Sequence, residues 1–336
     1  MAVVFTADLQ LKSHQARSRV LPSGRNSRFQ VGLDCLAQAA VLAKGGTLIV
    51  NGDLFDDRFK LDIDVLDGAV ETIFEAAESC MVILSIGNHD QFLRDGRIHS
   101  LRMFQGRTNI YVVPLDGVMN LPDAENTCEF CIFPFTEDME KVKAFVGAAV
   151  LSRHASLPTF LVLHEPVQAA LLGNGSVDST GLPIAALHPD KFEAVILGHY
   201  HRPQQILNTN VHYVGSPYQV DAGERGDEKR FLVWRDEKLE SVPVEGVPRY
   251  IIVSSVEEAR KYPDDFVDLV CAPDADMADL PQNVLFTPKI EEKVTDQAGA
   301  AASLANFDVG EAVAAWLTAN GGEHLVQAAL DRVKPK

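Results

Sequence analysis

Apolar positions in the first third of the chain follow two rhythms. Short unbroken runs, "AVVFTA" near the start, "TLIVN" at 47–51 and "MVILSI" at 81–86, alternate with segments whose apolar residues recur every three or four positions, from about Phe29 to Lys44 and about Ile63 to Ala77. Unbroken runs suit strands covered on both faces; the longer period suits helices with one buried stripe. The resulting β-α-β-α-β order predicts a parallel sheet with right-handed crossovers. Beyond Ile110 the rhythm changes. "NIYVV", "EFCIFPF", "TFLVLH", "EAVILGH", "QQILN", "VHYVG", "RFLVW" and "ESVPV" are short and closely spaced, with one clear helix among them, about Met139 to Leu151. They predict a second, largely antiparallel sheet packed on the first, so the expected class is an α/β sandwich flanked by helices.

Pro248 marks a boundary between a main domain, 1–247, and a small acidic one, 248–293. Residues 294–306 read as a linker of small and polar residues, "TDQAGAAASLAN". The last segment, 307–336, places Val309, Val313, Trp316 and Leu317, then Leu325, Ala328, Ala329 and Val333, at helical spacing around "NGG". Such a helix pair is too small to fold alone and must dock on the body or on a partner.

Composition adds few constraints. The chain has 336 residues, 46% hydrophobic and 23% charged, as ordinary globular proteins do. No apolar run reaches the roughly 18 residues of a membrane span, and no basic-then-apolar leader opens the chain, so the expected location is the cytoplasm. Five scattered cysteines predict free thiols. Cys128 and Cys131 form one C-x-x-C inside a strand-like run with no second pair, which favours buried apolar residues over a zinc site.

The net charge of −17 argues against nucleic acid as a partner, but its distribution modifies that. Residues 1–110 hold 12 Lys+Arg against 13 Asp+Glu, whereas residues 236–336 hold 9 against 19. Between Leu11 and Gln30 stand Lys12, Arg17, Arg19, Arg25 and Arg28 with no acid. That loop either holds phosphates or is simply solvated.

Candidate chemistry gathers where apolar runs end. "AVVFTADLQL" delivers Asp8 and Gln10, which in an extended chain point to one side. "TLIVNGD" delivers Asp53, "VILSIGNHD" Asn88, His89 and Asp90, "FLVLHEP" His164, and "AVILGHYH" His199 and His201. One strand-end histidine is usually a hydrogen-bonded rim residue. Seven of these oxygen and imidazole groups, at the strand ends of one sheet, instead match two adjacent divalent cations sharing Asp53. This mixed donor set suits manganese, iron or zinc rather than calcium.

The series Asp8-Leu9-Gln10, Gly52-Asp53, Gly87-Asn88-His89-Asp90, His164 and Gly198-His199-Tyr200-His201 resembles the calcineurin-like metallophosphoesterase superfamily over roughly residues 1–235. "NGDLFDDRF" and "VGSPYQVDAGERGDEKRFLVW" resemble, within it, the SbcD-type nucleases, bacterial and phage relatives of the eukaryotic double-strand-break repair nuclease. The resemblance implies a metallophosphoesterase β-sandwich (α/β/β/α) with a small C-terminal capping domain and a helical tail. It implies one cation on Asp8, Gln10, Asp53 and His201 and another on Asp53, Asn88, His164 and His199, manganese first, with magnesium, iron or zinc as alternatives. It further implies that an activated water attacks the phosphodiester in line while His89, held by Asp90, approaches the phosphate or leaving oxygen. Lys12, Arg17, Arg19, Arg25, Arg28, Arg94 and Arg97, with Arg102 and Arg107, are candidate DNA-backbone contacts or mere surface charge.

Gln10 departs from the family, which carries histidine there. It binds through its amide oxygen, binds through a water, or leaves the first cation weakly held. By the same resemblance the chain is an exonuclease and endonuclease component for DNA end processing, recombination and repair, in the cytoplasm of a bacterium or phage-infected cell. Its partners would be DNA and an SMC-like ATPase of the SbcC type in a 2:2 complex. Residues 248–293 would shape DNA access, the tail would bind the ATPase coiled coil, and helices near Ile63–Ala77 and Asp95–Phe104 would form a homodimer contact. Two other readings are a phosphodiesterase for nucleotides or small molecules, and a non-catalytic scaffold; six of the seven family ligand positions stand intact against the latter.

Overall fold

The first sheet carries the N-terminal strand at its centre. The computed structural model describes residues 1–173, 175–271 and 280–288, all within one compact unit, Met1–Pro288. Its strands are β1 (Val3–Thr6), β2 (Thr47–Asn51), β3 (Met81–Ser85), β4 (Ile110–Val112), β5 (Val118–Pro122), β6 (Glu129–Phe133), β7 (Thr159–Leu163), β8 (Ala194–Leu197), β9 (Gln204–Gln205), β10 (Val211–Tyr213), β11 (Arg230–Arg235), β12 (Lys238–Pro243), β13 (Tyr250–Val253), β14 (Phe266–Cys271) and β15 (Val284–Pro288). Its α-helices are α1 (Ser27–Leu42), α2 (Ile63–Ser79), α3 (Met139–Ser152) and α4 (Val256–Ala259). Sheet one runs β12-β11-β1-β2-β3-β4 and sheet two β5-β6-β7-β8-β10-β9.

Alternation along each strand builds four layers. Val3 and Phe5 face sheet two, where Phe5 meets Phe160 at 5.5 Å and Phe130 at 6.2 Å between ring centroids. Val4, Leu48, Val50, Val82 and Leu84 face the other way, onto Phe29, Leu33 and Leu36 of α1 and Val65 and Ile73 of α2. On the far side Cys131, Phe133, Leu161 and Leu163 meet Val142, Phe145 and Val146 of α3. With both faces covered, β1, β2, β6, β7 and β8 are apolar almost throughout. The chain is therefore the expected α/β/β/α sandwich.

Two expectations need correction. Sheet two is not largely antiparallel: β6/β7, β7/β8 and β8/β10 pair in parallel, and only the outer β5/β6 and β9/β10 pairs are antiparallel. Nor is there a helix over Asp95–Phe104. Asp95 folds back to accept Arg97 N at 3.0 Å, Gly96 is left-handed (φ +72°), and a short 3₁₀ turn, Ser100–Phe104, follows.

Strands β13, β14 and β15 make their own parallel sheet around Val253, Ala259, Val267 and Leu269. The basic loop grips it. Arg28 is buried and donates to Val220 O (2.8 Å), Tyr250 Oη (2.8 Å) and Ala16 O (3.2 Å), with its guanidinium 4.6 Å from the Phe266 ring centroid. Arg17 pairs with Asp268, and Arg19 with Asp264. The expected linker 294–306 and helical tail 307–336 lie outside the described residues.

Candidate metal centre

All seven expected donors lie just past strand ends of the two sheets. Pairing continues beyond the strands: Asp8 N donates to Gly52 O (3.1 Å), Gln10 N to Asp53 O (3.0 Å) and Gly198 N to Leu163 O (3.0 Å), which aligns the corners. Asp8 and Gln10 converge, but not by extended alternation. Both are left-handed (φ +54° and +48°), as are Asp53 (+53°) and His199 (+93°). For non-glycine residues this backbone costs on the order of 1–3 kcal/mol each, and such strain concentrates at functional sites. Two glycines admit the approach of side chains: a Cβ at Gly52 would occupy the space of the His164 imidazole, and one at Gly87 that of the Asp53 carboxylate.

Asp53 is the hub. Its carboxylate accepts from Gln10 Nε2 at 3.0 Å and from His89 N at 2.8 Å, and lies 3.4 Å from His164 Nε2. Asp8 lies 3.7 Å from His164 Nε2 and accepts from His199 N at 3.1 Å. Gln10 Nε2 is 3.5 Å from His201 Nε2, and Asn88 Oδ1 is 2.9 Å from His199 Nδ1. These contacts join all seven residues. Asp8, Asp53 and His164, each buried, offer ligand atoms within 4.8 Å of one another.

The donors fit a cation. His164 Nδ1 is 2.7 Å from Asn51 O, which fixes its proton there and turns the Nε2 lone pair toward the two carboxylates. His164 Nε2 and Gln10 Oε1 are both buried without a hydrogen-bond partner. Such atoms among two carboxylates are what a divalent ion satisfies. The electrostatics agree. Burial opposes a charge on His164, yet Asp53 and Asp8 outweigh it and lift its pKa to about 10, so the carboxylates recruit a proton when no other positive charge is present. Burial, with His164 nearby, depresses His199 to about 4, which leaves a neutral imidazole free to coordinate. Burial raises Asp8; Asp53 is lowered because His164 and His89 together overcome its burial.

Asp90 does not hold the His89 imidazole, contrary to expectation. Its carboxylate accepts from Asp53 N and Gly87 N (both 2.9 Å), Ser100 Oγ (3.3 Å) and Phe55 N (3.4 Å), bracing the corners that carry Asp53 and Asn88. Burial, then Asp53, pushes it up to about 6. His89 is oriented by a backbone atom, its Nδ1 lying 2.6 Å from Asp56 O.

The candidate DNA contacts are committed elsewhere. Lys12 pairs with Asp56 (2.9 Å), Arg25 with Glu71 (2.6 Å), Arg94 with Glu137 and Arg97 with Asp95 (2.7 Å), besides Arg17, Arg19 and Arg28 above. Arg102 donates to Arg97 O, and Arg107 lies over the Phe74 ring. They do not form a stripe of unpaired positive charge. Cys128 and Cys131 are buried free thiols facing opposite sides of β6, in the inter-sheet core and under α3, and cannot share an ion.

One group escaped the sequence reading. Glu224, buried, lies 2.8 Å from His201 Nδ1 and 2.6 Å from Lys229 Nζ, and these partners hold its carboxyl, against burial, down to about 2. Its signal was a Glu and a Lys in "DAGERGDEKR", just before the apolar run of β11.

A family model described as calcineurin-like phosphoesterase matches residues 1–203. The curated SbcD component of the nuclease SbcCD from Staphylococcus saprophyticus is 24% identical over 221 residues, covering 60% of this chain and 58% of that protein, so the match spans little more than half of the relative. Among solved structures, phosphopantetheinyl hydrolase of Mycobacterium tuberculosis aligns over 64% of this chain and 90% of its own, with 13% identity and a TM-score of 0.36. Another aligns over 73% of this chain and 99% of its own, with 14% identity and a TM-score of 0.41. No helix among the described residues is long and apolar enough to cross a membrane.

Proposed function

Because this chain belongs to the calcineurin-like phosphoesterase family, whose members hydrolyse phosphoric esters with divalent metals, we propose that it cleaves phosphodiester bonds of DNA at a dinuclear centre. The observation that carries the reading is the contiguous set of seven donors around Asp53, with a buried His164 nitrogen that faces two carboxylates and makes no hydrogen bond. Asp8, Gln10, Asp53 and His201 would hold one cation, and Asp53, Asn88, His164 and His199 the other, with manganese in both. Bound there, the cations would supply Lewis-acid charge to the phosphate and lower the pKa of a water.

The chain's own residues do the rest. Asp90 fixes the separation of the Asp53 and Asn88 corners through four hydrogen bonds. The Asp56 carbonyl accepts a hydrogen bond from Nδ1–H of His89 and leaves Nε2 for the substrate. A protonated His89 would donate from Nε2 to a phosphate oxygen or the leaving oxygen.

DNA as substrate, and an SMC-like ATPase of the SbcC type as partner, are supported by the name of the curated relative. Homodimerisation is supported by exposed apolar side chains: Ile63 (84% accessible) at the start of α2, and Phe59 (70%), whose ring meets Phe92 edge-on, with Leu93 (51%) and Ile98 (53%) on the segment after Phe92. In this reading residues 248–293 cap the nuclease domain and the tail at 307–336 binds the ATPase. A nucleotide or small-molecule phosphodiesterase is the second reading, favoured by the net charge of −17 and by the pairing of the basic loop. Incubation of linear duplex DNA with the protein, manganese and its cognate ATPase separates them. Progressive shortening of the duplex is expected; intact duplex alongside turnover of nucleotide phosphodiesters would replace the DNA reading with the second.

A further inference from the structure

We propose that Glu224 is the positioning residue for His201, and that its charge, balanced by Lys229, offsets the weak neutral donor at position 10. The inference rests on the dinuclear reading of the site. A carboxylate only accepts, so the 2.8 Å contact from His201 Nδ1 to Glu224 Oε1 places the ring proton on Nδ1. The lone pair is then on Nε2, the nitrogen that lies 3.5 Å from Gln10 Nε2. This is the carboxylate–histidine arrangement that fixes ring orientation and strengthens imidazole as a metal donor.

The second carboxylate oxygen is fully engaged. Glu224 Oε2 accepts from Lys229 Nζ (2.6 Å), Ser216 Oγ (2.9 Å) and Val220 N (3.2 Å). Lys229 Nζ also donates to His201 O at 2.9 Å, so one ammonium holds both the backbone of His201 and the carboxylate on its ring. The side chains of Lys229 and Glu224 are only 2% and 7% accessible. A buried ion pair adds little net stability, because desolvation consumes most of its attraction. Its distinct effect here is on His201. In the first ligand group the donors are Asp8, Asp53, an amide and this imidazole. With no second imidazole, the donor strength of His201 governs how well the cation is held.

The test is manganese binding, measured by titration calorimetry on the full chain. The wild type is expected to bind two Mn2+. Glu224→Gln keeps the shape and an acceptor oxygen but removes the charge. It is expected to weaken one Mn2+ site by roughly 10–100-fold and leave the other unchanged. Because this leaves Lys229 buried and unpaired, the double variant Glu224→Gln/Lys229→Met is measured too and should show the same selective loss. Adding Gln10→His to Glu224→Gln should restore the weakened site, which identifies it as the one that position 10 and His201 serve. Unchanged affinities, equal weakening of both sites, or no recovery with histidine at position 10 would overturn the proposal. Fewer than two Mn2+ on the wild type would instead overturn the dinuclear reading beneath it.

Discussion

Gln10 donates from Nε2 to Asp53 and leaves Oε1 buried and unpaired. Turning the amide by half a rotation exchanges the two atoms and brings an oxygen to face Asp53 and His201, as a cation there requires. An amide oxygen is nevertheless a poorer donor than imidazole for late first-row metals. Gln10→His is therefore expected to tighten the first Mn2+ by about tenfold, or about 1.4 kcal/mol, in calorimetric titration; equal affinity in both proteins would contradict this. The ligands were legible because each ends an apolar run, where a charged or imidazole side chain has no packing role. Their orienting partners were not. Asn51 O and Asp56 O are backbone atoms, which have no sequence signature, and Glu224 stands 23 positions after His201, so its contact exists only through the fold.

Among the elements, α1 and α2 were legible to within a few residues, since each presents a regular apolar stripe to β1–β4. Strand direction in the second sheet was not. The connection from β7 to β8 is a long loop with two short 3₁₀ turns instead of a helix, so the usual sign of a parallel crossover is missing. The parallel strand β10 carries a pH-dependent weakness. His212, on that strand, is depressed to about 4, by burial first and by Arg230 second. The unfolded chain takes up this proton below about pH 6.5, whereas the folded chain resists it until about pH 4. His212 thus has little effect above pH 6.5 and subtracts stability as the pH falls from there. In urea unfolding at pH 7 and pH 5, the wild type is expected to lose on the order of 1–2 kcal/mol more than His212→Gln. Equal losses would show that His212 is not the group responsible.

Across the whole molecule, part of the basic loop pairs with acids of the segment beyond Pro248. Arg17 and Arg19, which the sequence offers as phosphate contacts, hold Asp268 of the small sheet and Asp264 just before β14, and Arg28 is buried against Tyr250 of the same sheet. That use was illegible because the partners stand more than 200 positions away. The surface of the described residues does leave apolar side chains exposed at the start of α2, and their cover is a second copy of the chain in the proposed assembly. Ile63→Asp is expected to convert a dimer into a folded monomer in sedimentation analysis, with its Mn2+ sites intact. A dimer that persists would put the interface elsewhere.

Asp53 joins these scales, since it touches Gln10, His164 and His89 and is the donor both cations would share. The decisive measurement is manganese-dependent hydrolysis of bis(p-nitrophenyl) phosphate by wild type and Asp53→Asn, with bound Mn2+ counted on each. Two ions per wild-type chain are expected, with a rate falling by roughly a thousandfold in the variant, the equivalent of about 4 kcal/mol of lost charge stabilisation. A variant that still binds two ions and hydrolyses the ester at the wild-type rate would contradict a dinuclear centre built on Asp53.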